Sequence, residues 1–167
     1  MMKRKIFLIS FILFLLVGCA MANTPTSIVE NVLMKYQKVD NDIDNAIDSV
    51  LDEQNLTEDH AKRYRKLLTD QYKNLSYEVL DERIDGDKAT VTVEIEVIDY
   101  KNAIADLTFD STIYTKESFD EEKLNRLESA KDKVTYTLDL TLTKDSDDNW
   151  RIDALTNEQI KKIQGMY

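Results

Sequence analysis

The chain changes its hydrophobic period along its length. From residue 27 to residue 73, apolar residues recur every three to four positions, the spacing of one helix face. Ile28, Val29, Val32, Leu33 and Tyr36 make a first stripe. Ile43, Ala46, Ile47, Val50 and Leu51 make a second, and Ala61, Tyr64, Leu67, Leu68 and Tyr72 a third. Ser27-x-x-Glu30 reads as a capping box, in which the serine oxygen takes the Glu30 amide and the carboxylate reaches back. It predicts a helix start at Ser27. The second helix is predicted over Asp42 to Leu51. Thr57 caps the third, with Glu58 and Asp59 placed where negative charge suits a helix N-terminus.

Beyond residue 75 the period falls to two. Leu75 to Ile84 reads as a strand, and Asp85-Gly86 predicts a type I′ hairpin turn. Lys88 to Tyr100 follows, with Ala89, Val91, Val93, Ile95 and Val97 on one face and Thr90, Thr92, Glu94 and Glu96 on the other. Lys133 to Lys144 repeats the alternation: Val134, Tyr136, Leu138, Leu140 and Leu142 against Thr135, Thr137, Asp139, Thr141 and Thr143. After the polar turn Asp145–Asn149, Trp150, Ile152 and Ala154 alternate on a last strand.

The segment 102–131 carries weaker signals. Ala103, Ile104 and Leu107 allow a helical turn, and Phe109 to Tyr114 is β-branched and aromatic. Ser118-x-x-Glu121 reads as a second capping box, opening a helix with Phe119, Leu124, Leu127 and Ala130. Thr156-x-x-Gln159 opens a short last helix that Gly165 can end. Successive strands joined by short turns predict an antiparallel sheet. The fold class is α+β: N-terminal helices packed on a curved antiparallel sheet, a cone-like roll, in a single domain over 27–167.

The first residues follow neither period. Lys3, Arg4 and Lys5 precede Ile6 to Val17, apolar apart from Ser10, and then Gly18, Cys19 and Ala20. This is the layout of a secretory signal. The apolar run is 12 residues, short of the roughly 17–25 that span a bilayer. Leu16-Val17-Gly18-Cys19 resembles the lipobox of bacterial lipoproteins. That resemblance implies a signal peptide over 1–18, cleavage before Cys19, a diacylglyceryl thioether on its sulfur, and often acylation of the new amino terminus. Residues 19–26 would form a tether, and the domain would sit on the extracytoplasmic face of the cell membrane. Two or three acyl chains give lasting attachment where one gives only marginal binding. Ordinary cleavage after Ala20-Met21-Ala22 is the competing reading, since it too satisfies the small-x-small rule.

Charge narrows the partners. The chain has 22 Lys+Arg against 32 Asp+Glu, a net charge of −10. The leader holds three of the basic residues and no acidic one, so the part after it stands at −13. Nucleic-acid binding needs basic surface and is not expected. Anionic lipid is repelled, which leaves attachment to the lipid on Cys19. Three glycines and one proline hold no phosphate-cradling loop, and no cofactor is expected. Cys19 is the single cysteine, so no internal disulfide is available and the hydrophobic core must hold the domain.

Few residues offer chemistry. His60, the single histidine, falls on the polar side of a first helical turn and reads as a surface residue. Asp40, Asp42 and Asp44 alternate like the start of an EF-hand loop. However, Asn45 stands where glycine is needed and Leu51 where the bidentate Glu is needed. Asp145–Asn149 lacks the later ligand too, so no metal site is expected. Glu94 and Glu96 share a strand face that reads as solvated, and no catalytic residue is assigned.

Helices first, then a long antiparallel sheet, then a strand entered through Asp148-Asn149-Trp150-Arg151-Ile152, with the hairpin Glu82–Val97 before it, resemble the nuclear-transport-factor-2-like (cystatin-like) cone. The resemblance implies a pocket between the helices and the concave sheet face. Tyr136, on an apolar strand face, is then the ligand-pocket candidate; otherwise it is a core tyrosine with a satisfied hydroxyl. The expected function is a membrane-anchored extracytoplasmic lipoprotein whose non-enzymatic or envelope-associated domain binds a protein or small-molecule ligand. The alternative is a small enzyme or lipophilic-ligand carrier that uses the cone interior.

Overall fold

The computed structural model describes residues 23–167. The leader and the Cys19 lipobox lie outside the described residues. Three helices come first: α1 (Pro25–Lys38), α2 (Asn41–Asp52) and α3 (Glu58–Lys73). Strands β1 (Ser76–Asp85) and β2 (Lys88–Ile98) follow, then the single turn α4 (Tyr100–Ala103) and helix α5 (Lys116–Ser129). Strands β3 (Lys133–Lys144) and β4 (Trp150–Ile152) and helix α6 (Asn157–Ile163) complete the described chain. The sheet is an antiparallel meander in the order β1-β2-β3-β4. This is the α+β class that the pattern predicts.

Two helices start earlier than their expected boxes. The Thr24 oxygen accepts from the Ser27 amide at 3.2 Å, and the Thr24 amide donates to Ser27 Oγ at 3.1 Å. Helix α1 therefore begins at Pro25, where a ring without an N–H loses nothing. Helix α5 repeats the device with Thr115 and Ser118. In both cases a serine hydroxyl does the work expected of a Glu carboxylate. Helix α2 is capped by Asp40, whose carboxylate accepts from the Ile43 amide at 3.1 Å. Thr57 and the Thr156–Gln159 box cap α3 and α6 where they were expected.

The edge strand of this open sheet carries an irregularity. Val79 pairs with Val93 but Asp81 pairs with Thr92, so Leu80 is an extra residue in the edge strand. Such a bulge bends the strand and increases its twist. At the hairpin, Asp85 pairs with Lys88 across Gly86 and Asp87. Gly86 has φ +60° and Asp87 is not in the positive-φ region. Positive φ at the first central position alone matches a type II′ turn, so the expected I′ turn is corrected.

Helices cover one sheet face and leave the other open. The inward residues Ala89, Val91, Val93, Ile95, Val97, Leu138, Leu140 and Leu142 are all buried, none more than 4% exposed. Val29, Leu33, Ile47, Leu67, Leu124 and Ile163 close over them from the helices. The outward face carries threonines and carboxylates. Thr92 donates to Asp139 at 2.7 Å, and Lys133 pairs with Glu96 at 2.6 Å. Glu94 is exposed, as the alternation predicts.

The two ends of the sheet differ. One holds the hairpin and the turn Asp145–Asn149, joined where the Lys144 amide donates to the Asp87 carbonyl at 2.9 Å. Asn23 is fixed at this turn end. Its side chain donates to Asn149 Oδ1 at 2.7 Å and accepts from the Trp150 amide at 3.2 Å. Helix α1 runs from there toward the opposite end, where Gln37 donates to the Leu75 carbonyl at 2.8 Å. At that opposite end, Gln71 is buried. Its amide nitrogen donates to the carbonyls of Ile98 and Gln164 at 2.9 and 3.1 Å, and its oxygen accepts from the Ile98 amide at 3.0 Å. Gly165 lies against the same carbonyl with φ +69°, and a Cβ there would collide with it.

Candidate functional site

Helix α3 carries His60 and four closely spaced basic residues, Lys62, Arg63, Arg65 and Lys66. Its sequence, EDHAKRYRKLLTDQYK, alternates a basic strip with an apolar one. The helices on either side are acidic: α2 carries Asp42, Asp44, Asp48 and Asp52 with no Lys or Arg. Arg65 reaches α2, donating to Asp44 at 2.7 Å and pairing with Asp48. Arg63 reaches α5. Its Nε and one Nη hold both oxygens of Glu128 at 2.9 and 2.8 Å, its other Nη donates to Glu121 at 2.7 Å, and Asn125 accepts a further bond at 2.8 Å. Glu121, Asn125 and Glu128 are four and three residues apart, so they share one helix face. Bidentate geometry makes the Arg63–Glu128 pair the strongest of these contacts.

His60 is not a surface residue. It is 5% exposed, with Nε2 3.1 Å from Glu121 Oε2. The correction has a tertiary cause. The turn that holds His60 faces α5, whose position cannot be read from residues near 60. The Arg63 guanidinium holds the Glu128 and Glu121 carboxyls below the usual carboxylate range, and those carboxylates raise Arg63 in turn. His60 and Glu121 are spaced as an oriented acid–base pair, with Arg63 on the same carboxylate. His60 and Arg63 are both bound to Glu121, and the His60 ring is turned away from solvent. The arrangement fastens α3 to α5.

A groove of about 540 Å³ runs along the solvent side of α3, lined by Asp59, Lys62, Arg63, Arg65, Lys66 and Thr69. A second concavity, of about 370 Å³, lies between α4 and the end of α5, beside Asp99, Asn102, Arg126 and Asp132. Both are on the outside of the molecule. The side of the sheet that an open cone would expose is covered: Leu138 is 1% exposed and Trp150 is 7% exposed. Phe109, by contrast, is half exposed and packs edge-on against Phe119 in the loop before α5. Desolvation pushes the buried Tyr64 and Tyr100 and the half-buried Tyr36 each up to about 12, so they act as neutral residues of the core and its margin.

Tyr136 lies near the margin of the sheet, half buried. Its hydroxyl donates to the Tyr167 carbonyl at 3.1 Å, and the two rings meet edge-to-face at 5.8 Å. Lys162 sits over the Tyr167 ring at 4.6 Å. Burial raises the Tyr136 hydroxyl above its ordinary value. The residue latches the C-terminal segment and lines neither concavity.

The acidic stretches are used locally. Asp145 Oδ1 accepts from the amides of Asp147 and Asn149 at 2.9 and 3.0 Å, and Oδ2 from Arg151 at 2.8 Å. Asp44 is engaged by Arg65, and Asp40 by its own cap. Among the described residues, no group of three or more His, Cys, Asp or Glu is placed to hold a metal. Cys19 lies outside the described residues.

Sequence reasoning missed the α3 junctions, although their signal was present. An acidic helix, α2, directly precedes the basic α3, and the mostly acidic α5 comes later, after β1, β2 and α4. Opposite charge on three neighbouring helices points to lateral pairing.

No protein-family model matches the chain, and no curated protein matches it. A solved structure, of a candidate lipoprotein (ycdA) from Bacillus subtilis subsp. subtilis str. 168, is similar over 77% of this chain at 17% identity, with a TM-score of 0.42. The match covers 46% of that protein, so this chain spans about half its length.

Proposed function

We propose that the chain is a bacterial lipoprotein, held on the extracytoplasmic face of the cell membrane by lipid on Cys19, whose domain binds a partner at its outer surface and performs no catalysis. The lipobox Leu16-Val17-Gly18-Cys19 behind a short apolar leader carries the anchoring part. Among the described residues no helix is long and apolar enough to cross a membrane. The covered sheet face and the engagement of His60 and Arg63 with Glu121 favour an outer-surface role over an interior or catalytic one. The bulged meander behind three leading helices is in keeping with a nuclear-transport-factor-2-like relative whose interior is packed rather than open.

Fractionation of cells expressing the full chain tests the anchor. The wild-type protein should stay with membranes through a high-salt or carbonate wash, and Cys19→Ala should move to the soluble or secreted fraction. Retention of the Cys19→Ala protein in washed membranes would contradict the proposal. For the domain itself, a fluorescent fatty acid should show no saturable binding. Stoichiometric uptake would restore the carrier reading.

A further inference from the structure

Resting on the lipid anchor proposed above, we infer that the turn end of the sheet faces the bilayer, and that the end holding α4, the start of β3 and the Tyr136–Tyr167 latch points away from it. The length of the chain between Cys19 and the domain leads to this. Asn23 is fixed to Asn149 and Trp150 by two hydrogen bonds, at 2.7 and 3.2 Å. Four residue steps separate it from Cys19, so the covalent chain reaches at most about 14 Å from the acylated sulfur's residue to the domain. The sheet is far longer than that reach. A strand of 12 residues such as β3 extends for about 40 Å. The turns 85–88 and 145–149 are thereby held at the lipid surface, and the opposite end is free to stand off.

Charge opposes the alternative of lying flat. The helix layer would place α2, with four aspartates and no basic residue, on the lipid. The open sheet face would place Glu94, Glu96 and Asp139 there. An anionic leaflet repels both. The turn end is itself acidic, with Asp85, Asp87, Asp145, Asp147 and Asp148 in its turns, so the length of the tether and not charge selects this end. Lys144 is paired with Asp148 at 2.7 Å and Arg151 with Asp145 at 2.8 Å, and Lys88 stands at the hairpin. The occupant of this surface is the lipid headgroup layer. The α4–α5 concavity beside Asp99, Asn102 and Arg126 then lies at the end that stands off from the membrane.

The test uses the lipidated full chain in vesicles of phosphatidylcholine and phosphatidylglycerol. Lipidation consumes the Cys19 thiol, so a second cysteine can be labelled alone. Ser146→Cys and Lys131→Cys, both at exposed positions at opposite ends of β3, each receive a fluorophore, and nitroxide-labelled headgroups quench it. Quenching is expected to be several-fold stronger at position 146 than at 131. Inserting a flexible segment of about 15 residues after Met21, long enough to reach several times farther, should abolish the difference. Equal or reversed quenching in vesicle-bound, lipidated protein overturns the orientation and leaves the anchor intact. A mature chain whose mass shows an unmodified start at Asn23 overturns both.

Discussion

Two interfaces hold the helices in place, and they are built from opposite chemistry. Between the helices and the sheet the contacts are dry: Val91, Val93 and Ile95 are fully buried beneath Val29 and Leu33. Between α3 and its lateral neighbours the contacts are charged, with Arg63 on Glu121 and Glu128 and Arg65 on Asp44 and Asp48. Apolar burial is non-directional and contributes roughly 25 cal/mol per Å². Partly exposed ion pairs contribute about 1 kcal/mol or less, yet they fix register and angle. The dry interface therefore supplies most of the stability, and the charged one sets where the helices lie. The difference also bears on function. The titratable groups that could have formed a site are drawn into the lateral junctions, and the face that could have formed a pocket is packed.

The sharpest way to break this comparison is in the dry layer. Leu140, 1% exposed and paired with Val91, sits near the middle of β3. Leu140→Ala should cost about 3 kcal/mol, the usual range for a buried leucine that leaves a cavity, read as a lowered midpoint in urea. Gly165→Ala should come next. It places a Cβ against the Ile98 carbonyl at positive φ, for a loss of about 2 kcal/mol. If either change left the midpoint unmoved, the packed layer would not be the source of stability.

The charged junction should respond less and in a pH-dependent way. Arg63→Met should cost about 1 kcal/mol near neutral pH, discounted for the partial exposure of the pair. The sign follows from the carboxyls. Glu121 and Glu128 are lowered by Arg63, so their contribution is present above the unfolded carboxyl value. It is lost as pH falls through the lowered folded value. The gap in stability between wild type and Arg63→Met should therefore be widest near pH 6 and close below about pH 4. A gap that widened on acidification would contradict the pairing. Tyr136→Phe should be smallest, about 0.5 kcal/mol for one peripheral hydrogen bond, with no change in any ligand-binding signal.

The same contrast explains what could be read from the chain. Strands β2 and β3 follow from period-two alternation because their inward face is entirely apolar, and Thr57 and Thr156 mark helix starts by local chemistry alone. Helices α1 and α5 begin two residues before the starts that Ser27 and Ser118 suggest, because both serines look like N-caps. They instead answer Thr24 and Thr115 from the third helical position. The hairpin type turned on which of two residues takes positive φ, and Gly86 takes it. The burial of His60 could not be found locally, since its partner Glu121 lies 61 residues away. Tyr136 was correctly set on the inward face of its strand. Its surroundings, however, are decided by the C-terminal residue folding back over the sheet margin.

The most direct measurement is the intact mass of the N-terminal peptide from membrane-extracted protein. A peptide beginning at Cys19 and carrying a diacylglyceryl group, with or without a third acyl chain, is the expected result. A peptide beginning unmodified at Asn23 would show that the leader is only an export signal and that nothing ties this domain to the membrane through lipid.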